Sequence, residues 1–299
     1  MKTKCRSYVY LQTKKGFRYV QGNATLRSSA HTLTHSKGRS SDPGPNTKGH
    51  SLPAIIRTKH IVAYDLIRYD LRKEVIRMLH ELDAETIGDF LKDGDEHLRL
   101  ENFIVPKDSL LPRKVARDKN GKGEIAQKSL SDYVLRDVRF HEAFDAFVCE
   151  VILPELKERL LACGSTPPKC PITFYYQRPP TLRIQPGPSS RKVIAHSDAT
   201  YGHQDGELNF WMPLTDPQIT KTDLYCESSP GEEDYKALGA QLGEVVAFHG
   251  SSCKHLAPPN ISNYTRVSLD FRVGIVPFFD PEWKMCGTKS DHTRKRIVM

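Results

Sequence analysis

The chain has 299 residues, enough for one large domain or two small ones with an ample core. A mean hydropathy of −0.51 and the lack of any long apolar run exclude a membrane-spanning helix. Of the formal charge of +8, residues 1–50 carry +9 (ten Lys/Arg against Asp42), which leaves 34 basic and 35 acidic residues elsewhere. So neutral a body argues against a nucleic-acid groove, which needs a concentrated basic face.

Residues 1–55 form a basic extension rich in Ser, Thr, Gly and His, and the run from Thr34 to Gly49 has too little apolar surface to fold alone. It reads either as an organellar transit peptide or as a disordered extension. In the second case Tyr8–Leu11 and Gly16–Val20 would add an outer strand pair. The absence of an apolar h-region argues against secretion. Seven cysteines (Cys5, Cys149, Cys163, Cys170, Cys226, Cys253, Cys286) are odd in number and scattered, with no Cys-x-x-Cys. That pattern predicts free thiols in a reducing intracellular compartment, cytoplasm or organelle.

Residues 56–168 read as a mainly helical buttress. From Ala63, the apolar positions Leu66, Ile67, Leu71, Val75, Ile76 and Leu79 recur at helical spacing. Glu85–Leu91 predicts a shorter helix closed by Lys92-Asp93-Gly94, and Asp118–Gly123 is a loop by composition. Ser129 or Ser131 is a candidate cap for the next helix. Phe140, Phe144, Phe147, Val148, Ile152, Leu156, Leu160 and Leu161 predict one or two amphipathic helices, the second started by Pro154. Their aromatic spacing is that of core packing.

After Pro167-Pro168 the period changes to two. Strands are predicted at Ile172–Gln177, Leu182–Gln185, Lys192–Ala195, Glu207–Leu214, Glu244–Phe248 and Val267–Val276. Many short strands behind a helical layer predict an α+β fold: a double-stranded β-helix (jelly-roll, cupin-like) core at 169–280, buttressed by the N-terminal helices. Residues 281–299 read as a basic C-terminal tail.

The chemistry concentrates in that core. His196 and Asp198 follow the apolar strand Val193–Ala195, and residues two apart in an extended segment point the same way, so both can reach one metal. A second imidazole from a non-adjacent strand completes a set of two nitrogens and one oxygen on one face of an octahedral Fe(II), leaving the opposite face open. His255 supplies it, and the next strand carries Arg266 and Ser268, a guanidinium and a hydroxyl suited to the far carboxylate of a 2-oxo diacid. His203-x-Asp205 is a rival pair in a Gly-flanked loop; His203 reads as a group near the ligands or the substrate mouth, or as a surface loop histidine. His249 is the rival third ligand, on a segment that turns away.

Alternation places Arg266, Ser268, Asp270 and Arg272 on one strand face. Arg266 and Arg272 lie about 20 Å apart along the strand at ~3.3 Å per residue, too far to grip one diacid together. Arg266 is the predicted anchor, and Arg272 is expected to pair with Asp270 or another buried acid. Arg183 alternates with Leu182 and Ile184 and needs an anionic partner: a substrate carboxylate, the 2-oxo acid, or a structural ion pair. Asn209 and Trp211 share a face with Glu207. Trp211 reads equally as pocket wall or as core, and Tyr175 and Gln177 are weaker pocket candidates.

The run His196-Ser197-Asp198-Ala199-Thr200-Tyr201-Gly202-His203, the segment Gly206–Thr215 and the segment Thr265–Arg272 resemble the iron(II)/2-oxoglutarate-dependent oxygenases. The particular branch resembled contains the streptomycin-biosynthesis-type enzymes and the algal kainoid synthases. The likeness spans residues 170–280. It implies Fe(II), 2-oxoglutarate and dioxygen as cofactors, with ascorbate in support. It further implies His196, Asp198 and His255 as catalytic metal ligands, Arg266, Ser268 and Asn209 as 2-oxoglutarate contacts, and Arg183, Trp211 and Tyr175 as substrate contacts. Retention of Asp198 argues against halogenation, since family halogenases replace that carboxylate. The implied partner is a small polar specialised metabolite, with neither nucleic acid nor membrane, and a monomer is favoured. The specific expectation is radical cyclisation of an N-prenylated glutamate. The alternatives are a small-molecule hydroxylase of the same family and a non-oxidative, metal-binding, cupin-like protein.

Overall fold

Alternation sorts each strand's side chains onto two faces, and the computed structural model shows what covers each. It describes residues 51–82, 88–90, 98–105, 130, 132–164, 171–189, 192–283 and 294–299. The strands are β1 (His60–Ala63), β2 (Asp89–Phe90), β3 (Phe103–Ile104), β4 (Thr173–Gln177), β5 (Thr181–Gln185), β6 (Val193–His196) and β7 (Glu207–Pro213). They continue with β8 (Tyr225–Cys226), β9 (Lys236–Ala237), β10 (Glu244–Phe248), β11 (His255–Ala257), β12 (Arg266–Ile275) and β13 (Arg294–Val298). The larger sheet runs β1-β10-β7-β12-β4-β13, with β5 also paired to β12; the smaller runs β6-β11-β8-β9. From β5 to β12 the chain passes back and forth between the two antiparallel sheets, which is jelly-roll connectivity. The α+β jelly-roll reading therefore holds.

One face of the larger sheet is continuously apolar (Leu182, Ile184, Phe210, Met212, Leu269, Phe271) and joins one core with the helix residues Phe140, Phe144 and Phe147. Phe271 stacks on Phe210 at 5.0 Å and meets Phe144 edge-on at 5.2 Å. Truncating a buried ring loses its burial and leaves a void. Phe271→Ala is therefore expected to cost about 3–5 kcal/mol, measured by urea unfolding. The opposite face is polar along β12 and looks toward the smaller sheet. There a second, smaller cluster (Trp211, Cys226, Leu238, Val246, Phe248, Cys253) lines the space between the sheets.

Several local expectations change. The first long helix starts at Leu71, not near Ala63. Asp65 takes the N–H groups of Ile67 and Arg68 (2.8 and 3.1 Å), a turn that competes with helix, and Asp70 then caps Leu71–His80 through the Lys73 N–H. Within Glu85–Leu91, the described pair Asp89–Phe90 is a strand hydrogen-bonded to Phe103–Ile104. Of the one or two helices predicted around Pro154, the structure has one: Val138–Phe147 passes through a π-helical turn, Val148–Ile152, into Leu153–Ala162. The wider turn absorbs the missing proline N–H. Asp137 caps Val138–Phe147 by accepting the Phe140 N–H. The basic tail contains β13, which pairs with β4. Residues 1–50, Asp118–Gly123, Ser129 and Ser131 lie outside the described residues.

Candidate metal centre

His196 ends β6 and His255 begins β11, and the two are directly opposite each other in the smaller sheet. Ser197 continues extended, so Asp198 projects to the same side as His196 before a 3-10 turn, Asp198–Tyr201, takes the chain away. Gly202 ends that turn at φ 93°, a left-handed conformation that favours glycine. The ligand atoms of these three side chains lie within 4.8 Å of one another, the only such cluster among the described residues. Asp198 Oδ1 is 3.9 Å from His196 Nε2 and 3.5 Å from His255 Nε2.

The backbone sets the histidine tautomers. His196 Nδ1 lies 2.8 Å from the Ile194 carbonyl and His255 Nδ1 3.2 Å from the Cys253 carbonyl. A carbonyl only accepts, so each Nδ1 carries the proton and each Nε2 offers its lone pair. Burial, opposed by Asp198, pushes the His255 imidazole toward its neutral, ligating form. For Asp198, burial alone would raise the pKa. Arg272, His255, His203 and the Asn209 amide together outweigh it and hold the carboxyl well below the usual range.

The residues predicted to meet the diacid lie on the polar face of β12. Arg266 and Ser268 are buried, and Trp211 in neighbouring β7 is opposite Asp270. Arg266 Nη1 donates to the Asp223 carbonyl at 3.2 Å. Its Nε, the Ser268 hydroxyl and the Trp211 indole N–H reach no partner among the described residues. Unpaired buried polar groups are rare, because each costs free energy. Burial, against Asp270 and alongside Arg183, pushes the Arg266 guanidinium down to about 10. A buried cation with an idle N–H, two residues from the idle Ser268 hydroxyl on the same strand face, fits a carboxylate ligand.

The other candidates fall as follows. Arg183 pairs with Asp270, so its structural reading has a partner in hand. Arg272 meets not Asp270 but the other buried acid, Asp198, at 2.7 Å. Asn209 donates to Asp198 Oδ2 at 2.6 Å. Trp211 packs in the smaller inter-sheet cluster, which matches its core reading. Tyr175 packs 5.7 Å from Phe279 and pairs in register with Gly274, past Arg272 along β12. Gln177 accepts from Arg272 at 3.2 Å. Tyr201, which sequence reasoning did not single out, sets its ring edge-on to His196 at 5.2 Å.

Neither rival histidine joins the cluster. His249 bonds Ser252 Oγ (2.5 Å) and the Asp205 carbonyl (2.9 Å). His203 is not a surface residue: it is buried and bonds Glu207 Oε2 at 2.8 Å, while Arg294 reaches the other Glu207 oxygen at 3.1 Å. Burial would raise the Glu207 pKa, but His203 and Arg294 reverse this and lower it from 4.5 to about 2. A carboxyl depressed in the folded state stabilises above its unfolded pKa and stops doing so as pH falls through the folded one. The stabilisation from Glu207 is thus complete above about pH 4.5 and fades toward pH 2. Glu207→Gln should remove about 3 kcal/mol at neutral pH and flatten that acid limb, seen in urea unfolding across pH.

Comparison with known proteins gives limited but consistent likenesses. No family model matches the chain. It is 35% identical over 98 residues to the streptomycin biosynthesis protein StrG of Streptomyces griseus. That match takes in 33% of this chain and 45% of StrG, so less than half of the relative is spanned. Among solved structures it is similar to the non-heme alpha-ketoglutarate-dependent carbocyclase SnoK from nogalamycin biosynthesis, at 14% identity and TM-score 0.39, covering 77% of this chain and 87% of that one. AviO1 from Streptomyces viridochromogenes Tue57 aligns at 14% identity and TM-score 0.37, covering 76% and 96%. A Trichoplax adhaerens prolyl hydroxylase aligns at 13% identity and TM-score 0.34, covering 73% and 84%.

Proposed function

We propose that this chain is an Fe(II)- and 2-oxoglutarate-dependent oxygenase acting on a small polar molecule. The observation that carries the reading is the conjunction of three ligand atoms within 4.8 Å and buried donors on Arg266, Ser268 and Trp211 that reach no partner among the described residues. A structural histidine pair would not need the second feature, and a plain metal site would not need the guanidinium. Bound Fe(II) with a 2-oxo acid and dioxygen supplies C–H oxidation, with succinate and carbon dioxide as by-products.

The chain's own contribution is orientation and exclusion of water. The Ile194 and Cys253 carbonyls aim both imidazoles, and Arg266 with Ser268 would fix the distal carboxylate of the diacid. Phe248, edge-on to His255 at 5.3 Å, and Trp211 keep the buried side dry. The narrower reading, ring closure of an N-prenylated glutamate, calls for cations to bind a multi-carboxylate substrate. Arg183 and Arg272 are already engaged with Asp270 and Asp198, so that reading rests on the sequence resemblance.

The test is succinate release from 2-oxoglutarate with Fe(II) under air, against a panel of amino acids, small amines and aminosugars. Turnover that requires both Fe(II) and 2-oxoglutarate, and rises with a panel member, is expected. Ligand binding with no succinate in any condition would favour the non-oxidative alternative.

A further inference from the structure

The two oxygens of Asp198 live in different surroundings. Oδ1 faces the Nε2 atoms of His196 and His255 at 3.9 and 3.5 Å. Oδ2 receives three N–H donors: Arg272 Nε at 3.0 Å, Arg272 Nη2 at 2.7 Å and Asn209 Nδ2 at 2.6 Å. These donors come from one place, since Arg272 in β12 and Asn209 in β7 are directly opposite in the register.

Each donor is itself held. Arg272 Nη1 donates to Gln177 Oε1, and Gln177 Nε2 donates to the Thr181 hydroxyl at 3.1 Å. Asn209 is confined by Gly250, where an added Cβ would come within 2.7 Å of the amide. The Gly250 carbonyl accepts the Asp198 backbone N–H at 2.8 Å, so one turn braces both the carboxylate and its clamp.

A carboxylate binds metal through one oxygen or both. An oxygen already carrying three hydrogen bonds, two from a planar fork, is poorly placed to turn toward a metal. We propose that Arg272 and Asn209 are positioning residues that hold Asp198 as a one-oxygen ligand, keeping open the coordination place that a chelating 2-oxo acid needs. The proposal rests on the metal-centre reading above. It differs from simple charge neutralisation, which any cation near Asp198 would satisfy.

Co(II) is the probe, because its visible absorption reports coordination number without turnover. Wild type, Arg272→Gln, Arg272→Lys and Asn209→Ala are titrated with Co(II), then with 2-oxoglutarate once loaded, with thermal unfolding of each metal-free protein as a folding check. Arg272→Gln is expected to weaken Co(II) binding by about 10–100-fold, the usual cost of losing a group that orients a metal ligand. Its Co(II) spectrum should change, and the loaded variant should bind 2-oxoglutarate more weakly. Arg272→Lys keeps the charge but not the fork, and should also show the altered spectrum. If Arg272→Lys matches wild type in Co(II) affinity and spectrum, charge alone suffices and the proposal is overturned. Should Arg272→Gln fail to fold, Arg272→Lys and Asn209→Ala decide: altered spectra in both support the clamp, and wild-type spectra overturn it. Wild-type protein that binds no Co(II) refutes the metal centre itself, a distinct outcome that removes the proposal with it.

Discussion

His255→Ala is expected to lower Fe(II)- and 2-oxoglutarate-dependent turnover roughly a thousandfold or more, about 4 kcal/mol of lost stabilisation. His255 is one of only three side chains in the cluster, and its Nε2 is turned to the site by the Cys253 carbonyl. The substitution leaves the backbone pairing of β11 with β6 and β8 intact, so the loss should fall on the metal and not on the fold. Succinate release together with metal content per chain measures it. His249→Gln is the control. That imidazole is committed to Ser252 and Asp205, so the metal content of its variant should stay at the wild-type value. Retained metal and turnover in His255→Ala would mean that the third ligand is misassigned.

Arg266→Met carries the second large effect, and its signature is a split between binding and stability. Two hydrogen bonds from a guanidinium to a carboxylate, at about 1.5–3 kcal/mol each, translate to roughly 10²–10⁴ in affinity for 2-oxoglutarate. Calorimetric titration of metal-loaded protein reads that loss. Arg266 is a buried cation whose Nε reaches no partner among the described residues, and burial pushes its pKa down to about 10. Such a group costs stability until its anion arrives. Arg266→Met without ligand should therefore melt no lower than wild type. Saturating 2-oxoglutarate should raise the melting temperature of the wild type but not of the variant. A variant that melts far lower without ligand would make Arg266 a structural residue instead.

What could be read along the chain was whatever depends on near neighbours. His196 and Asp198 share a side because they are two apart in an extended segment, and the polar row from Arg266 to Arg272 follows from alternation alone. The eight-strand connectivity was legible only in part, since β8, β9 and β11 have two or three residues, too few to show a period. The partners of the arginines were not legible. Arg272 and Asp198 are 74 positions apart, and they meet because the register of β12 on β7 sets Arg272 opposite Asn209. Arg183 finds Asp270 across β5 and β12 in the same way. His203 looked like a loop residue because Gly202 and Gly206 flank it; the buried Glu207 four positions on takes it inward. The first long helix began late because Asp65 captured two N–H groups that helix spacing had assigned elsewhere.

Anaerobic calorimetry of the wild-type protein, first with Fe(II) and then with 2-oxoglutarate, tests the central claim most directly. One Fe(II) should bind per chain, and 2-oxoglutarate should bind tightly only after it, because the proposed site would hold the diacid jointly by the metal and by Arg266. Tight 2-oxoglutarate binding without metal, or no binding after Fe(II) is in place, would contradict an account that joins His196, Asp198, His255 and Arg266 in one site.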